Sequence, residues 1–305
     1  MNRSRRREAL VLLTSSVHRR GAGNSLWFYF PLTVAMYTGC TTSRLGPPLS
    51  QAVEETVSMN VPFKIGNTVV NAEVFQRGSP VPTMINVHDD ENTSVAAGRI
   101  VLEQTSGRLI ELAHGGERLV TFHLNSERHA FDPNRIFSDA GIRDTLKRRG
   151  AYSLAAHYAV KRFATQYLER FGLDREPVIV ALHNNSEGAL AIHSYLRDGD
   201  QAAAAARVHV AARRSPDDFF YVTDQRFFDY LKQQDFNVVL QDNAAVPDDG
   251  SLSVYFARKG VPYVNIEAEI SHLNAQIEMV RVVREMLEVL GLMDRGANRP
   301  SISAS

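Results

Sequence analysis

Three stretches of this chain end an apolar run in side chains that can hold a metal or move a proton. Thr83–Val87 runs into His88-Asp89-Asp90-Glu91, Val178–Leu182 into His183-Asn184-Asn185, and Val261–Ile266 into Glu267-Ala268-Glu269. Two histidines and a carboxylate are a recurrent ligand set for a catalytic zinc, with one coordination position left to water. The three-residue step from His88 to Glu91 lets both face one point as a strand turns away. A neighbouring strand end must then supply the third ligand, as His183 would. Taken alone, His-x-x-Glu is a common pattern that also suits a solvated acidic turn. Three polar ends on three apolar runs are harder to explain by packing. Glu267 and Glu269, two residues apart, point to one face of a strand, so either could reach such a site.

The elements that must place these residues follow from periodicity. Strands are expected at Asn67–Phe75, Thr83–Val87, Arg108–Leu112, Leu119–Leu124, Val178–Leu182, Asn237–Gln241 and Val261–Ile266. Several are continuous apolar runs, as in strands covered on both faces. Helices are expected at Ser94–Gln104, Ala151–Phe171, Gln225–Gln234 and His272–Leu290. In the last, Leu273, Ile277, Val280, Val283, Leu287 and Leu290 recur at helical steps, and Gly291 is placed to stop it. Ala202–Ala206 reads as helix. Strands interleaved with helices predict an α/β fold whose mixed, largely parallel sheet is flanked by helices. Ligands of such sheets gather beyond the carboxyl ends of strands, where the polar clusters fall. One domain over residues 60–294 is the economical division, with 41–59 a linker and 295–305 a tail.

Composition limits the function classes. Of 305 residues, 44% are apolar and 22% charged, the balance of a globular chain rather than a disordered or fibrous one. Net charge is zero, yet residues 1–39 hold six arginines and one acid. Taking these from the 34 basic and 34 acidic side chains leaves 28 against 33, so the body is mildly acidic. It has no basic stripe for a phosphate backbone, which argues against a nucleic-acid partner. No Gly-x-Ser-x-Gly elbow or phosphate-cradling loop is present.

After the basic leader, Leu26–Gly39 is a fourteen-residue apolar stretch interrupted by Pro31, too short to span a bilayer, and Cys40 follows it directly. Residues 1–40 thus resemble a bacterial lipoprotein signal, with Tyr37 where leucine is usual. Cys40, the sole cysteine, would carry the lipid and be the chain's one link to a membrane. The location implied is the bacterial cell envelope; with the start set too far upstream, the body would be cytoplasmic.

The whole set resembles the zinc carboxypeptidase superfamily, including its aspartoacylase and succinylglutamate desuccinylase branch. His88-x-x-Glu91, the later His183, the Asn134-Arg135 pair in Asp132-Pro133-Asn134-Arg135-Ile136-Phe137, and Gly250-Ser251 leading to Glu267 carry the resemblance across residues 80–290. It implies one zinc-carboxypeptidase-like domain with a single Zn²⁺ on His88, Glu91 and His183. It further implies Glu267, rather than Glu269, as general base, Asn134 and Arg135 gripping a substrate carboxylate, and Arg128 steadying the oxyanion. The reaction implied is hydrolysis of an amide beside a free carboxylate, in a peptide or an N-acyl amino acid. In the envelope, peptidoglycan peptides would be at hand. An aspartoacylase-type deacylase is the alternative, favoured by the short Arg128-to-Asn134 interval; a zinc-free binding or scaffold lipoprotein is the other. Asp89-Asp90 and Asn184-Asn185 depart from the family pattern. The remaining histidines (His114, His123, His129, His157, His193, His209, His272) form no such pattern.

Overall fold

The computed structural model describes residues 56–293, so the leader, Cys40 and the tail lie outside the described residues. A hairpin opens the domain: β1 (Thr56–Ile65) and β2 (Thr68–Arg77) pair antiparallel over their full lengths. β1 begins inside the stretch read as linker. Met59, Val61, Phe63 and Ile65 alternate toward the protein, and Pro62 is tolerated on this edge strand.

There follow β3 (Thr83–Asn86), α1 (Asn92–Leu102), β4 (Gly107–Ala113), the hairpin β5 (Val120–Leu124) and β6 (Glu127–Phe131), then α2 (Asp139–Arg149) and α3 (Leu154–Phe171). The chain continues through β7 (Ile179–Asn185), β8 (Ala205–His209), β9 (Phe219–Val222), α4 (Gln225–Gln233), β10 (Val238–Gln241), α5 (Leu252–Lys259), β11 (Tyr263–Glu269) and α6 (Leu273–Val289). The alanine run read as helix is a single 3-10 turn, Ala202–Ala204, that leads directly into β8.

Among the described residues, nine strands form one sheet in the order β1-β2-β4-β3-β7-β11-β9-β10-β8, and β5-β6 stand apart. The central run β4-β3-β7-β11 is parallel. The pairs β1-β2, β2-β4, β11-β9 and β10-β8 are antiparallel and β9-β10 is parallel, so the sheet is mixed with its longest parallel run at the centre. Alternate residues of the central strands enter different cores. Ile85, Ile110, Ile179 and Ala181 pack with α2, α3 and α5; Met84, Leu109, Val180 and Leu182 pack with α1, α4 and α6. Burial on both faces is the reason these strands read as unbroken apolar runs.

Helix ends are set by local chemistry. Ser138 and Ser153 accept from Gly141 N and Ala156 N to cap α2 and α3, and Gly172 at φ 63° ends α3. Three parallel strands, β3, β7 and β11, therefore deliver their carboxyl ends side by side.

Candidate metal centre

β3 is buried throughout and runs straight into His88. There the chain turns, with Glu91 N donating to His88 O at 3.1 Å, and α1 begins with Glu91 at its cap position. The Glu91 side chain does not cap the helix. Asn184, from β7, does so instead, its Oδ1 accepting from Ser94 N at 2.8 Å. This substitution frees the Glu91 carboxylate for the two imidazoles. His88 Nδ1 lies 2.8 Å from Glu91 Oε1, and His183 Nδ1 lies 2.8 Å from Glu91 Oε2. All three side chains are buried, and one ligand atom from each lies within 4.8 Å of the others.

The outer nitrogen of His88, Nε2, meets Asp132 Oδ1 at 2.8 Å. A carboxylate behind a metal-binding histidine fixes ring orientation and tautomer. Asp132 is itself fixed: its N–H donates to Thr145 Oγ1, and its Oδ1 also accepts from Asn134 N. The outer nitrogen of His183 is buried without a hydrogen-bond partner, but Gln276 Nε2 anchors the His183 carbonyl at 2.8 Å. Asn184 and Gln276 are in turn joined at 2.9 Å, so β7, α1 and α6 hold one another in place.

Burial disfavours charge on His88, Glu91 and Asp132, and the attraction of their neighbours overcomes it. His88 is pushed up to about 9, because Glu91 and Asp132 outweigh its desolvation. Despite their burial, Glu91 is held far below the usual carboxylate range by His183 and His88, and Asp132 by His88, Arg135 and Arg118. Glu267 goes the other way: desolvation raises its pKa, only partly opposed by His183. A buried set of two imidazoles converging on one carboxylate, with a second carboxylate behind, fits a divalent N/O-bound cation such as zinc.

Glu267 pairs in register with His183 across β7 and β11, and one oxygen accepts from Asn265 Nδ2 at 3.0 Å. With Glu91, Arg118, Asp90, Asn184 and Asn185 it lines a cleft of about 350 Å³. Glu269 turns to other partners, with His272 at 3.4 Å and its own N–H donating to Asp218 Oδ1.

The predicted arginine is placed elsewhere. Arg128 stands exposed on β6, and its guanidinium meets Thr121 Oγ1 at 3.4 Å. Strand pairing sets this, because the buried residues of β6 begin only with His129. The arginine that reaches the cluster is Arg118, 2.6 Å from Glu91 Oε1, on the loop before β5. Asn134 Oδ1 accepts from Leu252 N at the start of α5, and the half-exposed Arg135 guanidinium lies 3.5 Å from Asp249. Gly250, at φ 75°, allows the close approach of this loop, since a Cβ there would lie 2.7 Å from Arg135 O.

Asp132, Arg118 and Gln276 carried no assigned role in the sequence, and neither did Tyr195. The Tyr195 phenol is pushed up by burial and then by the neighbouring charge of Glu267. Its ring packs against Phe219 and Tyr221. Only the Asp-x-Asn-Arg wording could have drawn attention to Asp132.

No protein-family model and no curated protein matches the chain. Among solved structures it is similar to an aspartoacylase family protein from Mesorhizobium loti, at 12% identity and TM-score 0.38, over 79% of this chain and 69% of that one. It is similar also to the tripeptide-bound cell shape determinant Csd4 of Helicobacter pylori (12%, TM-score 0.41, 72% of this chain, 56% of that one). A third is LapA of Legionella (8%, TM-score 0.37, 75% of this chain, 60% of that one). The chain thus spans little more than half of Csd4. Likenesses this distant carry no argument about chemistry, which rests on the side chains.

Proposed function

We propose that the protein is a zinc-dependent hydrolase that cleaves an amide bond beside a free carboxylate. One observation carries this: His88, Glu91 and His183 converge, buried, at the carboxyl ends of adjacent strands, with Glu267 in the same cleft. Zinc bound by these three residues would supply the positive charge that acidifies water and polarises a carbonyl.

The chain's own groups then have distinct tasks. Asp132 holds the His88 ring with its Nδ1 toward the site. Glu267, one oxygen tied to Asn265, has the other free to take the proton of the attacking water and pass it to the leaving amine nitrogen. Its raised pKa suits a group that must both accept and return a proton. Arg118 sets a guanidinium at the cleft for the developing oxyanion, the role expected of Arg128. Arg135, half-exposed, presents the fork that matches a carboxylate, while Asn134 holds the turn through its Oδ1.

The placement of Arg118 favours the carboxypeptidase form over the deacylase. The short interval from Arg128 to Asn134 was the argument for deacylation, and Arg118 stands sixteen residues before Asn134 instead. An envelope location, and with it a peptidoglycan peptide as substrate, rests on the leader and Cys40 alone. Among the described residues no helix is long and apolar enough to cross a membrane.

The test is elemental analysis of the purified protein beside a His88→Ala/His183→Ala variant, followed by assay on peptides and N-acyl amino acids. About one zinc per chain, lost in the folded variant along with hydrolysis, is the expected result. A wild-type protein that takes up no zinc on reconstitution would overturn the reading and leave the zinc-free binding protein in its place.

A further inference from the structure

Two pairs of like neighbours line or adjoin the cleft, and within each pair the residues are treated differently. Asp89 Oδ2 accepts from the backbone N–H groups of His114 and Gly116, closing the loop after β4. Its neighbour Asp90 lines the cleft, and its Oδ1 is sheltered from water with no hydrogen-bond donor. Asn184 is fully engaged, accepting from Ser94 N and donating to Ala268 O and Gln276 Oε1. Asn185, 9% exposed, donates Nδ2 to Asp217 O at 2.8 Å, while its Oδ1 is buried without a donor. Buried acceptors left without donors are rare in folded proteins, and those that persist call for an explanation such as an absent ligand or water.

We propose that the cleft selects a substrate that carries a side-chain primary ammonium on a residue flanking the scissile amide, held by Asp90 and Asn185; this rests on the hydrolase reading above. A carboxylate only accepts, and an amide whose N–H is committed offers only its oxygen. The complementary group is donor-only. A hydroxyl or a neutral amide brings an acceptor of its own, whereas an ammonium brings three donors and none. Arg118, the basic residue lining this cleft, donates its hydrogen bond to Glu91 and acts on Asp90 only through space, so the hydrogen-bonding capacity of the Asp90 carboxylate is left for a donor from outside. Asp90 follows β3, Asn185 ends β7 and Glu267 lies two residues before the end of β11, so the ammonium site adjoins the reacting centre across three neighbouring strands.

The experiment uses the zinc-reconstituted full chain and two pairs of acetylated dipeptides. One pair carries lysine or norleucine as its terminal residue, the other as its penultimate residue. Both kcat/KM on the wild type and Kd by calorimetry on the Glu267→Gln protein are read, so binding is scored whether or not hydrolysis occurs. The lysine member of one pair is expected to be favoured by about tenfold in both readouts. That preference is expected to collapse in Asp90→Asn and in Asn185→Leu, with melting curves confirming that both variants fold. Equal treatment of lysine and norleucine in both pairs, or a preference unchanged in both variants, would overturn the ammonium site; equal cleavage of all four leaves the hydrolase reading standing. Preferential, Asp90-dependent binding without cleavage would support the site and overturn the hydrolase reading. Neither binding nor cleavage would overturn both.

Discussion

The same parallel strands carry buried charge at both ends, and the two ends differ in balance. At the amino ends of β3, β4 and β7, Arg108 meets Glu176 at 3.1 Å and also donates to Thr83 Oγ1 and to Phe171 O. There a cation and an anion meet directly. At the carboxyl ends of β3, β7 and β11, three buried carboxylates, Glu91, Asp132 and Glu267, gather around two imidazoles, and Arg118 approaches from the rim. Burial is similar at the two ends. What marks the second as a site is surplus carboxylate and ligand atoms gathered close to one another, an arrangement that could hold a divalent cation. The comparison predicts that substitutions at the carboxyl end alter chemistry and metal affinity, while those at the amino end alter folding.

The largest effect is expected from Glu267→Gln. Shape and the Asn265 contact can be retained, but proton transfer cannot. Turnover is expected to fall by about 10²–10⁴-fold with zinc content unchanged. Activity within a few-fold of wild type would remove Glu267 from the mechanism and return Glu269 to consideration. At the opposite end, Arg108→Met removes the guanidinium that the buried Glu176 carboxylate meets. A loss of roughly 3–5 kcal/mol in denaturant unfolding is expected, with zinc stoichiometry preserved. The Arg108→Met/Glu176→Leu pair should recover most of that loss, because two apolar groups replace two charges. Should Arg108→Met also strip the zinc, the two ends would not be separable.

A smaller effect falls on Asp132, which touches no substrate in this reading and acts through His88. Asp132→Asn keeps an oxygen for His88 Nε2 and for the turn but removes the charge. Zinc affinity is expected to weaken by about 10–100-fold in a chelator competition, with unfolding little changed. Unchanged affinity would mean that His88 is oriented by packing alone.

How much of this was readable beforehand follows from what is local. β3, β7, β10 and β11 declared themselves as apolar runs because they are covered on both faces. α6 declared itself by its period, with Gly291 at φ 66° ending it. β9 (Phe219–Val222) is four residues long, too short to stand out beside Asp217-Asp218. α2 buries only Gly141, Ile142, Thr145 and Leu146 in a charged sequence, so its apolar face was faint, although Ser138 and Gly150 bracket it. β8 hid in an alanine-rich stretch whose helical propensity was overruled by pairing with β10. Within the site, the ligands were legible as strand ends. Arg118 was not, since it lies on a loop without periodicity and its position comes from the fold. Nor were Asp132 and Gln276, whose partners His88 and His183 lie 44 and 93 residues away. Spacing could identify an arginine before Asn134 but not which one turns inward; β6 pairing sent Arg128 outward.

The smallest effect concerns a third imidazole, which tests whether exposure alone separates a rim contact from the centre. His272, at the cap of α6, meets Asp218 at 3.0 Å and Glu269 at 3.4 Å, but its side chain is 36% exposed. The hydrogen bond to Asp218, with the charges of Asp218, Glu269 and Asp217, raises its pKa against its desolvation. A histidine whose pKa is higher folded than unfolded adds stability below its unfolded value, near 6.5, and loses it as pH rises through the folded value. Wild type should therefore lose a small margin over His272→Gln between pH 6 and pH 8. Solvent screening limits that margin to below about 1 kcal/mol, or roughly 2–4 °C in melting temperature. Because Glu269 is bound up with this imidazole rather than with the cleft, hydrolysis should be indifferent to the substitution at either pH. A large loss of turnover in His272→Gln would mean that the rim and the centre are one network, and the division drawn between Glu267 and Glu269 would fail with it.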